Sequence, residues 1–110
     1  MTARLLLCET CEGADPEAAA RLRSALAVNG QEDVAVETVA CMGGCASPQT
    51  LALEGDGLAT FVFDGIDPDA DQADILATVR TWRGSPGGWI ENAFACGRLR
   101  ERLRARVPRG

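Results

Sequence analysis

Five cysteines are the residues of this 110-residue chain whose type and spacing could do chemistry. Cys8 and Cys11 are separated by two residues, and Cys41 and Cys45 are separated by three, two of which are glycines. Four cysteine thiolates can bind one tetrahedral zinc ion or the two irons of a [2Fe–2S] cluster. The first pair alone could also act as a CxxC thiol-disulfide reductant. The spacing is therefore compatible with a zinc site, a [2Fe–2S] cluster or a CxxC reductant, and the rest of the sequence must be used to choose among them.

The composition removes several alternatives. The chain contains neither histidine nor tyrosine, which excludes mixed Cys/His zinc sites and Cys-His or Ser-His nucleophile arrangements. The apolar run at residues 5–7 is too short for a secretory signal, and no apolar stretch approaches the length of a membrane span. We therefore expect a cytoplasmic protein that does not enter the membrane. Because cytosolic thiols are kept reduced, the cysteines favour metal or redox chemistry over a disulfide framework.

Charge is distributed unevenly along the chain. Residues 1–79 contain 14 acidic residues and 3 arginines, whereas residues 80–110 contain 8 arginines and 2 glutamates. An acidic body should repel nucleic acid and attract basic protein surfaces, so we expect a redox partner with a basic docking face and no nucleic acid. The basic tail is expected to form ion pairs with the acidic body, either of its own chain or of a second subunit in a homodimer.

The first cysteine pair lies between a predicted strand and a predicted helix. The strand covers residues 4–7 and delivers the chain to Cys8. Asp15 is suited to cap the helix, Pro16 suits its first position, and the Asn-Gly pair at 29–30 ends it. The arrangement is strand, cysteine loop, helix.

The second pair follows a second predicted strand. Residues 33–41 alternate branched apolar residues and end at Cys41. Because a helix connects the two strands, we expect them to be parallel, with their carboxyl ends at one edge of the sheet. Cys8 and Cys41 would then be neighbours, although 29 residues separate Cys11 from Cys41.

A hairpin and a second helix complete the predicted body. Residues 50–63 read as two strands joined by the turn at 55–57. Asp71 is placed to cap the helix that follows. Its predicted apolar face consists of Ile75, Leu76, Val79 and Trp82.

The tail is predicted to be a basic, partly helical extension. The segment 84–88 breaks the pattern, and Leu99, Leu103 and Val107 recur at helical spacing beyond it. We therefore divide the chain into a metal-binding or cluster-binding body, residues 1–83, and a C-terminal extension packed on it, residues 84–110. Trp82 and Trp89 flank the break and are expected to anchor the tail. Cys96 is expected to be a buried bystander.

The context of the cysteine pairs favours a cluster over zinc. Zinc ribbons usually carry both knuckles on hairpin turns, whereas each pair here begins at the end of a predicted parallel strand. Gly43 and Gly44 would allow backbone N–H groups to turn towards sulfur as an anion-binding nest. Both glycines would also suit a zinc thiolate site.

Residues 41–79, which begin "CMGGCASPQTLAL", resemble the second half of thioredoxin-like [2Fe–2S] ferredoxins and of the small cluster-bearing subunit of respiratory NADH dehydrogenase. The whole chain is most similar to a group of small predicted metal-binding proteins, often encoded near cobalamin-biosynthesis genes, with tails similar to the "ARVP" at 105–108. The elements predicted from the sequence follow the order β-α-β-β-β-α, and the resemblance implies that they form a thioredoxin-like α/β fold with a mixed four-stranded sheet and a basic C-terminal tail. It also suggests a partner in cobalamin or cobalt metabolism.

The resemblance further implies an electron carrier rather than an enzyme. Its [2Fe–2S] cluster would be bound by Cys8, Cys11, Cys41 and Cys45. This chain departs from the ferredoxins in one respect. The ferredoxins separate their first two cysteines by four or more residues, whereas Cys8 and Cys11 are separated by two. Two alternatives therefore stay open: a Zn²⁺ or Co²⁺ site or delivery protein that uses the same cysteines, and a CxxC thiol-disulfide oxidoreductase.

Overall fold

The structure is a computed structural model that describes most of the chain outside the two cysteine loops. The described residues are 3–8, 17–39, 50–90 and 93–107. The predictions for Cys11, Cys41 and Cys45 lie outside these residues, as do those for Asp15 and Pro16.

The described residues form five strands, two α-helices and two 3₁₀ segments. The strands are β1 (Ala3–Cys8), β2 (Val34–Val39), β3 (Leu51–Gly55), β4 (Leu58–Phe63) and β5 (Leu103–Val107). The α-helices are α1 (Ala18–Val28) and α2 (Gln72–Gly84), and the 3₁₀ segments are Pro86–Gly88 and Ala93–Glu101. No helix of the described residues is both long and apolar enough to cross a membrane.

The architecture is mixed α/β. The five strands form one sheet in the order β2-β1-β3-β4-β5. β1 and β2 are parallel, with Leu5 beside Val36 and Cys8 beside Val39. The remaining neighbours are antiparallel. The prediction that β1 and β2 run parallel is therefore confirmed.

One face of the sheet forms the core, because alternate side chains along each strand point to the same side. Leu5 and Leu7 of β1 are buried against the helices, whereas Arg4 and Leu6 on the other face are partly exposed. Burial of each large apolar side chain contributes about 1.5–3 kcal/mol. The fully buried members of this core include Leu22, Leu26, Leu53, Ile75, Val79 and Trp82.

The helices match most of their predicted features. Leu22 and Leu26 of α1 are buried, and α1 ends at Asn29 followed by Gly30, whose φ is +77°. Its first residue is Ala18, two positions later than predicted. Asp71 is the N-cap residue of α2 as predicted, but its side chain makes no capping hydrogen bond within the helix. That carboxylate instead binds the tail.

The prediction of a four-stranded sheet is wrong, and the predicted partly helical tail contains 3₁₀ segments but no helix at residues 103–107. Residues 103–107 form β5, which pairs antiparallel with β4 and adds a fifth strand. The 3₁₀ segment, which Gly97 interrupts with φ 59° and ψ −130°, ends at Glu101, so Leu103 and Val107 lie in β5 and not on a helix with Leu99. In the strand conformation, the tail backbone pairs with the outer edge of β4, a tertiary contact that the local sequence does not reveal.

Side-chain contacts hold the tail on the body. Trp82 donates its indole N–H to the Ala59 carbonyl oxygen at 2.8 Å. Trp89 packs against Phe61 with ring centroids 6.2 Å apart, and the Arg106 guanidinium lies 4.7 Å from the Trp89 ring centroid. Trp89 therefore anchors the tail region as predicted, whereas the Trp82 hydrogen bond joins α2 to β4 within the body.

Candidate metal centre

Cys8 is the described member of the predicted ligand set. It is the last residue of β1, lies beside Val39 at the end of β2, and is fully buried. Both strands end together because they are parallel and in register. The chain therefore enters both cysteine loops from the same edge of the sheet.

Thr50 brings the exit of the second loop to the same edge. Thr50 directly precedes β3, and its carbonyl oxygen accepts a hydrogen bond from the Cys8 backbone N–H at 3.0 Å. The neighbouring pair Leu7 and Leu51 continues the antiparallel ladder. Three chain ends therefore meet around Cys8: the ends of β1 and β2 and the start of β3.

The Thr50 side chain is a polar group without a hydrogen-bond partner in the described part of the chain. Thr50 is fully buried, and its Oγ1 makes no hydrogen bond there. An unsatisfied buried hydroxyl costs about 1–3 kcal/mol. A metal-bound sulfur beside it would supply the missing acceptor, so this orphaned hydroxyl fits a cysteine-ligated group.

The direction of α1 also suits an anionic group at this edge. Because α1 connects parallel strands, its first residues lie towards the edge where β1 ends. The amino end of a helix carries a partial positive charge that stabilises thiolates. This contribution would be the same for a cluster and for zinc.

Cys11, Cys41 and Cys45 lie outside the described residues, so their assignment stays a prediction. Among residues 3–8, 17–39, 50–90 and 93–107, no group of three or more Cys, Asp or Glu side chains is arranged to bind a metal ion.

Cys96 belongs to the core. It is 2% exposed and lies in the 3₁₀ segment Ala93–Glu101, within the main apolar cluster. A small cavity of about 40 Å³ touches it together with Phe61, Phe63 and Ile90. Its burial agrees with the predicted bystander role.

The acidic residues before α2 largely serve the structure. Asp71 is paired with Arg98 at 2.5 Å, Asp64 with Arg104 at 3.3 Å, and Asp69 with Arg21 at 2.8 Å. The predicted pairing of tail arginines with the acidic body is therefore confirmed for Arg98 and Arg104 within one chain. These aspartates contribute less free negative charge to a docking face than the sequence suggests.

Asp67 stabilises the turn that leads into α2. Its carboxylate accepts hydrogen bonds from the backbone N–H groups of Asp69 at 3.0 Å and Ala70 at 3.1 Å. These two bonds, that of Ala70 foremost, hold the pKa of Asp67 below its ordinary value, and the nearby Arg98 charge acts in the same direction. The carboxylate is therefore structural.

Sequence reasoning missed Thr50. The signal was a polar residue directly before the apolar strand "LALEG", at the exit of the second cysteine loop. Whether the Thr50 and Cys8 side chains lie on the same face of the sheet depends on the register of β1 and β3, because a shift by one residue moves a side chain to the other face.

Comparison with known proteins identifies one family and no individual relative. Neither a curated protein nor a solved structure matches the chain. The family description names no cofactor, so the resemblance to ferredoxins stays a prediction. Residues 5–109 match the family described as "Protein of unknown function (DUF1636)", and the chain belongs to that family.

Proposed function

We propose that this protein is a small electron carrier that binds a [2Fe–2S] cluster through Cys8, Cys11, Cys41 and Cys45. The observation that carries the proposal is the position of Cys8, beside Val39 in the register of β1 and β2 and hydrogen-bonded to Thr50. Both cysteine loops are anchored at this one edge of the sheet.

Chain connectivity restricts where the other cysteines can lie. Cys11 follows Cys8 by three residues, which span at most about 11 Å. Cys41 follows Val39 by two residues, which span at most about 7 Å. Adjacent strands are about 4.8 Å apart, so cysteines of both loops are tethered within reach of one cluster.

The donor set suits iron and sulfide. Thiolates are the usual ligands of such clusters, and the absence of histidine leaves an all-cysteine set. A bound cluster would supply reversible one-electron transfer. In this proposal Cys8 contributes a ligand shielded from water, and the glycines between Cys41 and Cys45 allow backbone N–H groups to approach the sulfur atoms.

We also propose that residues 3–63 adopt a thioredoxin-like arrangement. A parallel strand-helix-strand unit, β1-α1-β2, is joined to an antiparallel hairpin, β3-β4, in the sheet order β2-β1-β3-β4. The fifth strand is an addition at the outer edge of the hairpin.

The proposed partner is a redox protein with a basic docking face. The support is the acidic excess of residues 1–79. The charge argument for a homodimer is weaker, because Arg98 and Arg104 pair with Asp71 and Asp64 of their own chain. A role in cobalt or cobalamin metabolism rests on the family resemblance alone.

A Zn²⁺ or Co²⁺ site is the second candidate. The observation that favours it is the two-residue spacing of Cys8 and Cys11, which is typical of zinc knuckles. The third reading, a thiol-disulfide oxidoreductase, is disfavoured because Cys8 is fully buried, whereas reactive cysteines are partly exposed.

Electron paramagnetic resonance separates the first two candidates. Apo protein would be incubated anaerobically with ferric iron and sulfide to form the oxidised cluster, reduced by one electron with dithionite, and measured at low temperature. The proposal predicts a spin-one-half signal of about one spin per chain, since a reduced [2Fe–2S] cluster holds one added electron. Protein that remains without such a signal but binds one Zn²⁺ per chain would favour the metal site.

A further inference from the structure

We infer that the Thr50 hydroxyl is a hydrogen-bond donor to the metal-bound sulfur of Cys8 and thereby tunes the redox properties of the site. This inference rests on the proposed function, because it requires a metal or cluster at Cys8. No other described side chain is placed opposite Cys8 on the antiparallel strand.

The register places the two side chains together. Leu7 is paired with Leu51 on antiparallel strands, so Cys8 lies opposite Thr50, and the Cys8 N–H donates a 3.0 Å hydrogen bond to the Thr50 carbonyl oxygen. Side chains of directly opposite residues project from the same face, with Cβ atoms about 4.5–5.5 Å apart. Both residues are fully buried. The hydroxyl and the sulfur therefore lie on the same face of the sheet, and the hydrogen bond between them, which Thr50 Oγ1 does not make in the described part of the chain, would form when Cys8 binds a metal.

The lack of a partner at Thr50 is specific to this position. Thr78, equally buried, donates its hydroxyl to the Asp74 carbonyl at 2.7 Å, and Thr81 donates to the Ala77 carbonyl at 2.8 Å. Thr50 Oγ1 is the one buried hydroxyl without a hydrogen-bond partner among the described residues. The protein keeps an unsatisfied donor beside its candidate ligand.

A metal-bound thiolate would make that donor useful. Thiolate sulfur accepts hydrogen bonds more strongly than a neutral thiol, because it carries negative charge. Reduction adds one further negative charge to a cluster, so a donor to sulfur stabilises the reduced state more than the oxidised state and raises the reduction potential. Loss of the hydroxyl should lower the potential.

The test compares Thr50→Val with Thr78→Val. Both substitutions replace a fully buried hydroxyl by a methyl group of similar size, but only Thr78 has a described hydrogen-bond partner. Urea unfolding of the apo proteins comes first. We expect Thr50→Val to unfold at or above the wild-type midpoint and Thr78→Val below it. A Thr50→Val midpoint lowered as far as that of Thr78→Val would overturn the inference, because the hydroxyl would then have a partner in the apo protein.

The loaded proteins give the second readout. After reconstitution with iron and sulfide, we expect Thr50→Val to have a lower midpoint potential than the wild type and Thr78→Val to have an unchanged one. Equal potentials in all three proteins would overturn the inference. The proposed cluster function is not tested by this comparison, because all three proteins would carry the same cluster.

A wild-type protein that takes up no iron and sulfide would refute the proposed function. The Thr50 inference would then be tested in protein loaded with Co²⁺. In Co²⁺-loaded protein, loss of the hydrogen bond should make the thiolate easier to oxidise. The sulfur-to-cobalt charge-transfer band of Thr50→Val is then expected at longer wavelength than that of the wild type. Identical spectra would overturn the inference.

Discussion

The backbone N–H of Cys8 donates a hydrogen bond of 3.0 Å to the carbonyl oxygen of Thr50. This bond joins the residue that begins the first cysteine loop to the residue that follows the second. β2 also ends beside Cys8. Of the four chain segments that border the two loops, the end of β1, the end of β2 and the start of β3 therefore meet at Cys8, and only the start of α1 does not. The proposed cluster site is thus built on the sheet rather than on the loops alone.

Substitution of the second cysteine pair tests whether both loops supply ligands. Cys41→Ser and Cys45→Ser should each lose most of the visible absorption of the reconstituted protein, because serine is a poor ligand for this cluster. Cys96→Ala is the matched control and should keep the full absorption, since Cys96 is buried in the core. Full absorption in both serine variants would contradict the ligand assignment. Dithiol reductase activity that survives in them would point to Cys8 and Cys11 as a redox pair.

The ion pair between Arg98 and Asp71 should stabilise the attachment of the tail. The Asp71 side chain is 6% exposed, and Arg98 Nη1 lies 2.5 Å from Asp71 Oδ2. Arg98→Ala removes the positive charge that pairs with this buried carboxylate. We therefore expect a loss of about 1–3 kcal/mol in the free energy of unfolding. Chemical denaturation measures it.

Arg104→Ala is the control for that experiment. Arg104 pairs with Asp64 at 3.3 Å, and the arginine side chain is 48% exposed. An exposed pair of this kind contributes at most about 1 kcal/mol. Equal losses in the two variants would show that burial of Asp71 does not matter.

Gly97 is required where the tail crosses α2. Its φ is +59°, and a Cβ atom there would overlap the Asp74 carboxylate. Asp74 accepts the Arg98 backbone N–H at 3.1 Å, so displacement of its carboxylate would also remove this hydrogen bond. Gly97→Ala should destabilise the protein by about 1–3 kcal/mol or more.

Gly84→Ala provides the comparison for Gly97→Ala. A Cβ at Gly84 meets no atom within 4 Å, and this residue is the last of α2. The substitution should be neutral or stabilise by up to about 1 kcal/mol, because alanine restricts the unfolded chain. Thermal unfolding of both variants is the measurement. A stable Gly97→Ala protein would contradict the packing of the tail against Asp74.

Asp67 should make part of the stability dependent on pH. Its folded pKa lies below its unfolded value, so the carboxylate stabilises the fold above the unfolded pKa and loses this effect as the pH falls through the folded pKa. Asp67→Asn keeps an oxygen acceptor but carries no charge. Urea unfolding between pH 7 and 3 should therefore show a shallower acid loss in the variant. Parallel curves would rule out the predicted contribution.

Local sequence patterns were sufficient to predict the first six elements, β1 to α2. The apolar run before Cys8, the alternation in β2 and the Asp56-Gly57 turn each carry a local signal. They also predicted the parallel pairing of β1 and β2, because a helical crossover requires it.

The tail could not be predicted from the same signals. Leu103 to Val107 alternates arginines with apolar residues, which fits a strand as well as a helix, and all five residues are exposed. The choice depends on the unpaired edge of β4, which is a tertiary feature. Charged edge strands are common because they discourage further pairing.

The candidate site was predictable only in part. The cysteine spacing suggests the ligands. The position of Thr50 opposite Cys8, on the same face of the sheet, depends on the register of β1 and β3. The pairing of the aspartates with Arg21, Arg98 and Arg104 likewise depends on contacts between distant segments.

The most direct test of the central claim is the absorption spectrum of protein purified without oxygen, combined with iron, sulfide and zinc analysis of the same sample. The account predicts visible bands that bleach with dithionite, with about two irons and two sulfides per chain. A colourless protein that carries about one zinc per chain would contradict it and establish the four cysteines as a metal site without redox function.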